Sequence, residues 1–211
     1  GARFLSLPDY SEKLIKSNYI NINYKKKIDI CKKIKKILDN SKTINIYSKL
    51  GTSLKLKTKN RFANACPGIV IKKGELGSPP DVEVNISPIE NESHGKIIID
   101  GSVAHKSIGK LNNPIEFDIK KGKIYKYHSQ NKKYKKIINE LFFNKNSKRK
   151  IIGEFGIGLN HKCKLTGNML TDEGNLGSIH LGFGSNYTVG GKNKVNFHLD
   201  FIVKRPDVVI D

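Results

Sequence analysis

The segment that decides the fold is VNFHLDFIV, residues 195–203. Apolar and polar side chains alternate along it, and successive side chains of a β-strand point to opposite faces of the sheet. Phe197 and Phe201 therefore face a core, while His198 and Asp200 lie together on the other face. We expect a half-buried strand whose polar face either binds a metal through this pair or simply meets solvent.

The segment SIHLGFG, residues 178–184, has the same alternating character. His180 shares its face with two glycines, which leave room for a ligand or a substrate. The alternative is an ordinary core or surface histidine. Tyr187 follows seven residues later, after a turn-prone Gly-Ser-Asn, and either reaches the same face or is a packed aromatic residue.

The rest of the chain predicts an α+β fold with a largely antiparallel β core and two or three amphipathic helices. Ten of the 19 glycines lie in residues 151–211 among short apolar runs, as is typical of tight turns between strands. We expect hairpins over residues 43–59 and 115–127. We expect helices over residues 10–39, capped by Asp9 or Ser11, and over residues 132–143.

The composition excludes several classes of protein. With 211 residues, 37% hydrophobic and 27% charged, the chain suits one domain or one and a half, and it has no apolar run long enough to cross a bilayer. The net charge is +20, but few of its 39 basic residues are arginines, and specific phosphate or base recognition favours arginine. We therefore expect no specific nucleic-acid partner and no membrane partner.

The cysteines and the N-terminus predict the cellular location of the protein and whether the chain is processed. Cys31, Cys66 and Cys163 are isolated thiols without a paired spacing, which favours a reducing, cytoplasmic location. The chain begins Gly-Ala-Arg-Phe without an initiator Met or an apolar leader, so we expect a processed chain or a fragment.

Two carboxylates stand in apolar strands. Glu154 lies in GEFGIGLN and Glu83 lies between two valines, and a buried carboxylate is costly unless it is paired or bound to a metal. Ion pairs with lysines are the alternative. The combined oxygen and imidazole donors suffice for one or two divalent metals, namely Glu83, Glu154, His180, His198 and Asp200.

Four segments in this order resemble the thermophilic-aminopeptidase (M29) family of metallopeptidases. They are residues 154–160, 165–173, 177–187 and 198–201, and residues 80–88 resemble a further segment of that family. The resemblance implies that Glu83, Glu154, His180, His198 and Asp200 bind two divalent ions, Zn, Co or Mg. It places Tyr187 on the family's active-site tyrosine.

The implied function is a metal-dependent aminopeptidase that removes N-terminal residues from peptides through a metal-activated water. Glu154 or Glu83 would serve as general base and Tyr187 would hydrogen-bond the developing oxyanion. The resemblance also implies a homodimer. Family members carry an N-terminal α/β lobe, so we expect residues 1–42 to be a helical remnant or linker and residues 43–211 to be the catalytic domain.

Two alternatives remain. A related branch of the fold contains mononuclear iron dioxygenases that open dihydroxypyridine rings, and His180, His198 and Asp200 have the composition of an iron facial triad. The chain could instead be an inactive C-terminal fragment or a basic binding module. Metal stoichiometry separates these hypotheses.

Overall fold

The computed structural model describes residues 1–8 and 10–211. Its fold is α+β and, apart from one short parallel pair, its strands are antiparallel, as predicted. The helices in these ranges are α1 Glu12–Ile15, α2 Tyr24–Asp39, α3 Lys132–Ile138 and α4 Met169–Asp172. The strands are β1 Phe4–Leu5, β2 Thr43–Tyr47, β3 Ser53–Lys57, β4 Asn64–Cys66, β5 Leu76–Gly77, β6 Glu83–Ile86, β7 His94–Ile99, β8 Ser102–Val103, β9 Gly109–Lys110, β10 Ile115–Lys120, β11 Lys123–Ser129, β12 Ile152–Gly158, β13 Ser178–Gly184, β14 His198–Lys204 and β15 Asp207–Ile210.

Two large sheets organise the described residues. The first, here called the site sheet, has the order β4-β6-β12-β13-β14-β8-β9. The second, the back sheet, has the order β11-β10-β7-β3-β2-β15. A separate parallel pair joins β1 to β5.

Aromatic side chains pack between the two sheets and form the centre of the core. The ring of Phe117 in β10 lies 5.5 Å from that of Phe183 in β13 and 5.2 Å from that of Phe201 in β14, both edge-on. All three are fully buried. Because each of these strands buries one face here, the alternation in residues 197–203 correctly predicts which face of β14 is turned outward.

Both predicted hairpins are confirmed. β2 pairs with β3 around Gly51, and β10 pairs with β11 around Lys121 and Gly122. The last two residues have φ values of 48° and 66°, the left-handed conformation that two-residue hairpin turns require.

The first predicted helix is interrupted. Residues 10–39 form α1, a 3-10 turn at Asn18–Ile20 and α2 rather than one helix. Ser17 and Asn23 cause the breaks, because their side chains accept hydrogen bonds from Tyr19 N and Lys26 N and so begin new helical segments. Ser11 caps α1 as predicted, and Asp9, the other predicted cap, lies outside the described residues.

The second predicted helix begins at Lys132, as α3, and continues as a π-helical turn over Asn139–Phe143. α2 packs beside β4 and β6, and its Cys31 and Leu38 are fully buried. The proposed boundary at residue 42 stays a prediction. Within the described ranges no helix combines the length and the apolar character that crossing a bilayer requires.

Candidate metal centre

The outer face of the site sheet carries the five predicted ligands. Antiparallel pairing sets Glu154 opposite Gly182, and Gly182 opposite Asp200, so these residues share one face across β12, β13 and β14. The same pairing sets Gly156 opposite His180. The structure therefore brings together residues separated by more than a hundred positions in the chain, namely Glu83, Glu154, His180, His198 and Asp200.

Glycines beneath the two imidazoles are required by close packing. A Cβ atom at residue 156 would lie 2.1 Å from Nε2 of His180, and one at residue 182 would lie 2.6 Å from Nε2 of His198. Neither distance is tolerable for real atoms. The glycines of β12 and β13 thus make the space in which the side chains of neighbouring strands converge.

Short contacts connect the five side chains. His180 Nε2 lies 3.1 Å from Glu83 Oε2 and 3.6 Å from Glu154 Oε1. His198 Nε2 lies 3.4 Å from Glu154 Oε2 and 3.2 Å from Asp200 Oδ1. Glu154 therefore presents one carboxylate oxygen to each imidazole.

These contacts define two groups of three donors that share one member. Glu83, Glu154 and His180 form the first, and Glu154, His198 and Asp200 form the second, with ligand atoms within 4.8 Å of one another in each. The triad of His180, His198 and Asp200 expected for a single iron is divided between the two groups. Whether the five bind metal stays a prediction.

Neighbouring groups orient the ligands. His198 Nδ1 lies 2.8 Å from the carbonyl oxygen of Ser185, which can only accept a hydrogen bond, so Nδ1 carries the proton and Nε2 is directed at the carboxylates. Asn85 Nδ2 donates to Glu83 Oε1 at 2.6 Å, and Asn64 Nδ2 donates in turn to Asn85 Oδ1 at 2.9 Å.

Burial and mutual charge shift the protonation of the centre. Burial raises the pKa of Glu83 to about 7, although the nearby His180 opposes this. Burial would lower the pKa of His180, but Glu83, Glu154 and Asp200 together raise it to about 9. The Asp200 carboxylate raises the pKa of His198 to about 10. Burial would raise the pKa of Asp200, but the neighbouring His198 outweighs burial and lowers this pKa to about 2. Without metal, the imidazoles hold protons that a cation must displace.

The donor set fits a divalent cation. His180 and the carboxylates of Glu83, Glu154 and Asp200 are almost completely buried, whereas the His198 side chain is one-third exposed. Glu83 Oε2 and His180 Nδ1 have no hydrogen-bond partner in the described part of the chain. Buried carboxylates that face one another and leave oxygen atoms unpaired are costly unless a proton or a cation joins them.

Two residues of the centre were not predicted from the sequence. Asp81 lies just before β6 and Glu173 lies at the C-terminal end of α4, and with Glu83 they form a third group of three oxygen donors. Each has one buried oxygen without a hydrogen-bond partner in the residues that the structure describes. The argument that singled out Glu83, a carboxylate beside apolar residues, would also have indicated Asp81 beside Val82.

Tyr187 lies in a 3-10 turn, Tyr187–Val189, and is 57% exposed. The ammonium group of Lys194 lies 3.6 Å from the centre of its ring. Asn186, the residue before this turn, is held by two hydrogen bonds, because its Nδ2 donates to Ser87 and to Glu90. The described residues give no contact between Tyr187 and the five donors, and its role stays a prediction.

The other four histidines lie outside the centre. His94, His128 and His161 are exposed and His105 is half-buried. None of them belongs to a donor group in the described residues.

A cavity of about 850 Å³ opens beside the centre. Asp81, Glu83 and Glu173 form part of its wall. Apolar side chains and two lysines complete much of the rest, including Ile69, Leu76, Val189, Lys32 and Lys72.

A family model described as NicX, 2,5-dihydroxypyridine 5,6-dioxygenase, matches residues 1–211. The chain belongs to the NicX family. The predicted M29 resemblance is supported only in part, because the family model that covers the chain is that of the dioxygenase branch named above as an alternative. A search of curated proteins by sequence found no match.

Solved structures agree with NicX membership at the level of the fold. 2,5-Dihydroxypyridine dioxygenase from Pseudomonas putida KT2440 superposes with a TM-score of 0.83 at 19% identity, over 99% of this chain and 61% of that one. AmpT from Thermus thermophilus superposes with a TM-score of 0.72 at 15% identity, over 89% of this chain and 50% of that one. The chain of this NicX member thus spans between half and two-thirds of the length of these relatives, and identities this low show the fold alone.

Proposed function

We propose that the chain is a metal-dependent oxygenase of the NicX type, which opens a dihydroxylated nitrogen-containing aromatic ring with dioxygen. The observation that carries this proposal is the family match along the whole chain, combined with imidazole and carboxylate donors on one glycine-lined face. Incorporation of both atoms of dioxygen into the ring-opened product balances the reaction without an added reductant.

The donors suit ferrous iron. His180, His198 and Asp200 have the two imidazoles and one carboxylate of the facial triad, and Glu154 lies between the imidazoles. Binding one ion would draw together these three donors, which fall into two groups in the structure. These residues would hold the iron, which would supply the activation of dioxygen. Ser185 holds the His198 ring so that Nε2 keeps its direction, and Asn85 holds Glu83.

The neighbouring cavity suits a flat, partly polar ligand. Its apolar wall, which includes Ile69 and Leu76, would pack against a ring, and the ammonium groups of Lys32 and Lys72 would attract an acidic substituent or an ionised hydroxyl group. An anionic aromatic substrate would be attracted by these lysines once a bound cation offsets Asp81, Glu83 and Glu173 in the same wall.

The test is anaerobic reconstitution of the 211-residue chain with Fe²⁺, followed by addition of 2,5-dihydroxypyridine and air. We expect one iron per chain and oxygen uptake equal to the loss of the pyridine absorbance. His198→Ala and Asp200→Asn should abolish both, and Glu92→Gln, which removes an exposed carboxylate that belongs to none of the donor groups, should change neither. Full iron binding without turnover of any dihydroxylated pyridine would contradict the proposal.

A second candidate function is the two-metal aminopeptidase predicted from the M29 resemblance. The observation that favours it is the position of Glu154 between two three-donor groups, because dinuclear hydrolases use carboxylates that reach two ions. Glu154 or Glu83 would move the proton of the attacking water, and Tyr187 would donate to the oxyanion. The substrate would be a peptide.

Metal counting and two assays separate the functions. Two equivalents of Zn²⁺ or Co²⁺ with hydrolysis of an aminoacyl-anilide, lost in Glu154→Gln, would support the hydrolase. One iron with oxygen uptake would support the oxygenase. Binding of no metal under either condition would reject both functions and leave the inactive fragment predicted as an alternative.

A further inference from the structure

The most acidic part of the molecule lies beside the predicted ligands. Asp81, Glu83 and Glu173 place carboxylate oxygens within 4.8 Å of one another. Asp81 is 6% exposed and Glu83 is 5% exposed. Neither Asp81 nor Glu173 forms an ion pair with lysine or arginine in the described residues, although the chain carries 39 such residues.

Unpaired oxygens distinguish this cluster from an ordinary acidic patch. Asp81 Oδ1 and Glu173 Oε1 are buried and have no hydrogen-bond partner within the described ranges, and Glu83 Oε2 contacts only His180 Nε2, at 3.1 Å, without forming a hydrogen bond. A native protein leaves few such atoms unsatisfied, and each one calls for a ligand or a proton.

The backbone is built to hold the three carboxylates together. Leu159 N donates to Val82 O at 2.8 Å, and Asn160 N donates to Gly174 O at 2.7 Å, so the loop after α4 is tied beside the entry to β6. A Cβ atom at residue 174 would lie 2.9 Å from Asp81 Oδ1. Glycine at this position allows Glu173 to approach Asp81.

Two neighbouring thiols each contact a backbone carbonyl oxygen beside the cluster. The sulfur of Cys31 lies 3.8 Å from the carbonyl oxygen of Glu83, and that of Cys163 lies 3.8 Å from the carbonyl oxygen of Pro80. Burial raises the pKa of both thiols to about 12, and it also raises the pKa of Cys66, which lies opposite Glu83 in the sheet, so all three thiols stay protonated near neutral pH. The donors that the cluster itself offers are therefore oxygens.

We infer that Asp81, Glu83 and Glu173 form a further cation site, which takes a hard divalent ion such as Mg²⁺ or Mn²⁺. Three carboxylate oxygens without imidazole or thiolate select such an ion over a softer one. All three residues line the large cavity, which gives the ion a path from solvent and room for its remaining waters. The site shares Glu83 with the predicted metal centre but needs neither imidazole, so it does not depend on which reaction is catalysed.

The experiment counts Mn²⁺ bound to the full chain by the EPR signal of free Mn²⁺. Asp81→Asn and Glu173→Gln remove one donor each and keep the shape of the side chain. We expect each to weaken the binding of one Mn²⁺ equivalent by about 10–100-fold or more, the size of effect seen for residues that support a metal site. Glu92→Gln, an exposed carboxylate, is the matched control and should bind as the wild type does.

A second variant separates this site from the predicted centre. His180→Ala/His198→Ala lacks both imidazoles and should still bind one Mn²⁺, with a rise in its melting temperature. Adding Asp81→Asn to that variant should remove both effects. This pair decides the question even if an Asp81 or Glu173 variant of the wild type fails to fold.

Two results would overturn the inference. The first is Mn²⁺ binding by Asp81→Asn and Glu173→Gln that is indistinguishable from that of the wild type. The second is the absence of any Mn²⁺-dependent stabilisation in His180→Ala/His198→Ala, which would mean that protons rather than a cation join the three carboxylates. If the imidazole centre alone fails to bind metal, only the proposed function is contradicted.

Discussion

Gly156 lies directly opposite His180 in the site sheet, and the imidazole occupies the volume that a Cβ atom at residue 156 would fill. Gly156→Ala should therefore displace the ring and cost about 1–3 kcal/mol of unfolding free energy, as overpacking usually does. Urea denaturation measures the loss, and metal analysis should show that binding through His180 falls with it.

The matched variant is Gly156→Ala/His180→Ala. Removal of the ring relieves the clash, so the double variant should recover stability relative to Gly156→Ala while its metal binding stays low. Equal stability losses in the two variants would mean that the ring and the glycine are not coupled.

Glu154 contacts both imidazoles, whereas Glu83 contacts His180 but not His198 in the described contacts. We expect Glu154→Gln to weaken metal binding at both imidazole-containing donor groups and Glu83→Gln to weaken it at only one of these two groups. Isothermal titration with Zn²⁺, checked by elemental analysis, measures the number of sites affected. Identical profiles for the two variants would contradict a shared carboxylate.

The metal-free protein should lose stability as the pH rises. The pKa values of His180 and His198 are raised to about 9 and about 10 by carboxylates, above the value near 6.5 of an unfolded histidine. Their contribution is therefore complete below about pH 6.5 and is lost as the pH rises through about 9–10. The pKa of Glu83 is raised to about 7, so the folded protein also loses stability through Glu83 as the pH rises from about 4.5 to 7.

Metal binding should show the opposite trend, because the cation displaces these protons. Melting temperatures with EDTA should fall between about pH 7 and 10, and affinity for Zn²⁺ should rise over the same range. His180→Ala/His198→Ala should flatten the first curve. A metal-free melting temperature that rises over this range would count against the assigned protonation.

Arg61 holds the loop that carries Tyr187. It forms an ion pair with Glu90 at 2.5 Å, with both side chains largely buried, and it donates to the carbonyl oxygen of Gly190. Arg61→Met should cost up to about 3 kcal/mol, since it removes the cation beside the largely buried Glu90, which keeps only its hydrogen bonds from Asn186 and from the Lys192 backbone. Hydrogen exchange should increase in residues 186–193.

The exposed pair of Lys96 and Glu116 provides the comparison. Lys96→Met should cost far less stability than Arg61→Met, as the loss of a surface ion pair usually does, and should leave exchange in residues 186–193 unchanged. Similar losses for both substitutions would mean that the loop does not depend on Arg61.

The sequence predicted which side chains share a face of a strand better than it predicted which strands pair with one another. The outward direction of His180, His198 and Asp200 followed from alternation and is found in the structure. Their strand partners could not be predicted, because register depends on contacts between distant parts of the chain. The position of Gly156 opposite His180 could therefore not be predicted from the sequence.

Local signals also outweighed periodicity in the first 40 residues. Apolar spacing predicted one helix over residues 10–39, but the capping side chains of Ser17 and Asn23 divide it. Asp81 and Glu173 were missed for a different reason. Glu173 lies at the end of a helix, where alternation assigns no face, whereas Asp81 meets the argument that indicated Glu83. That the two meet depends on the loop after α4, which is tied beside the entry to β6.

The carboxylates beside the cavity also dictate an order of events. A chain with a net charge of +20 gathers anions at its surface, yet Asp81, Glu83 and Glu154 repel them at the end of the path. An anionic reactant would be admitted only after a cation has neutralised that repulsion. The cation would then bind first, and the anionic reactant would bind second.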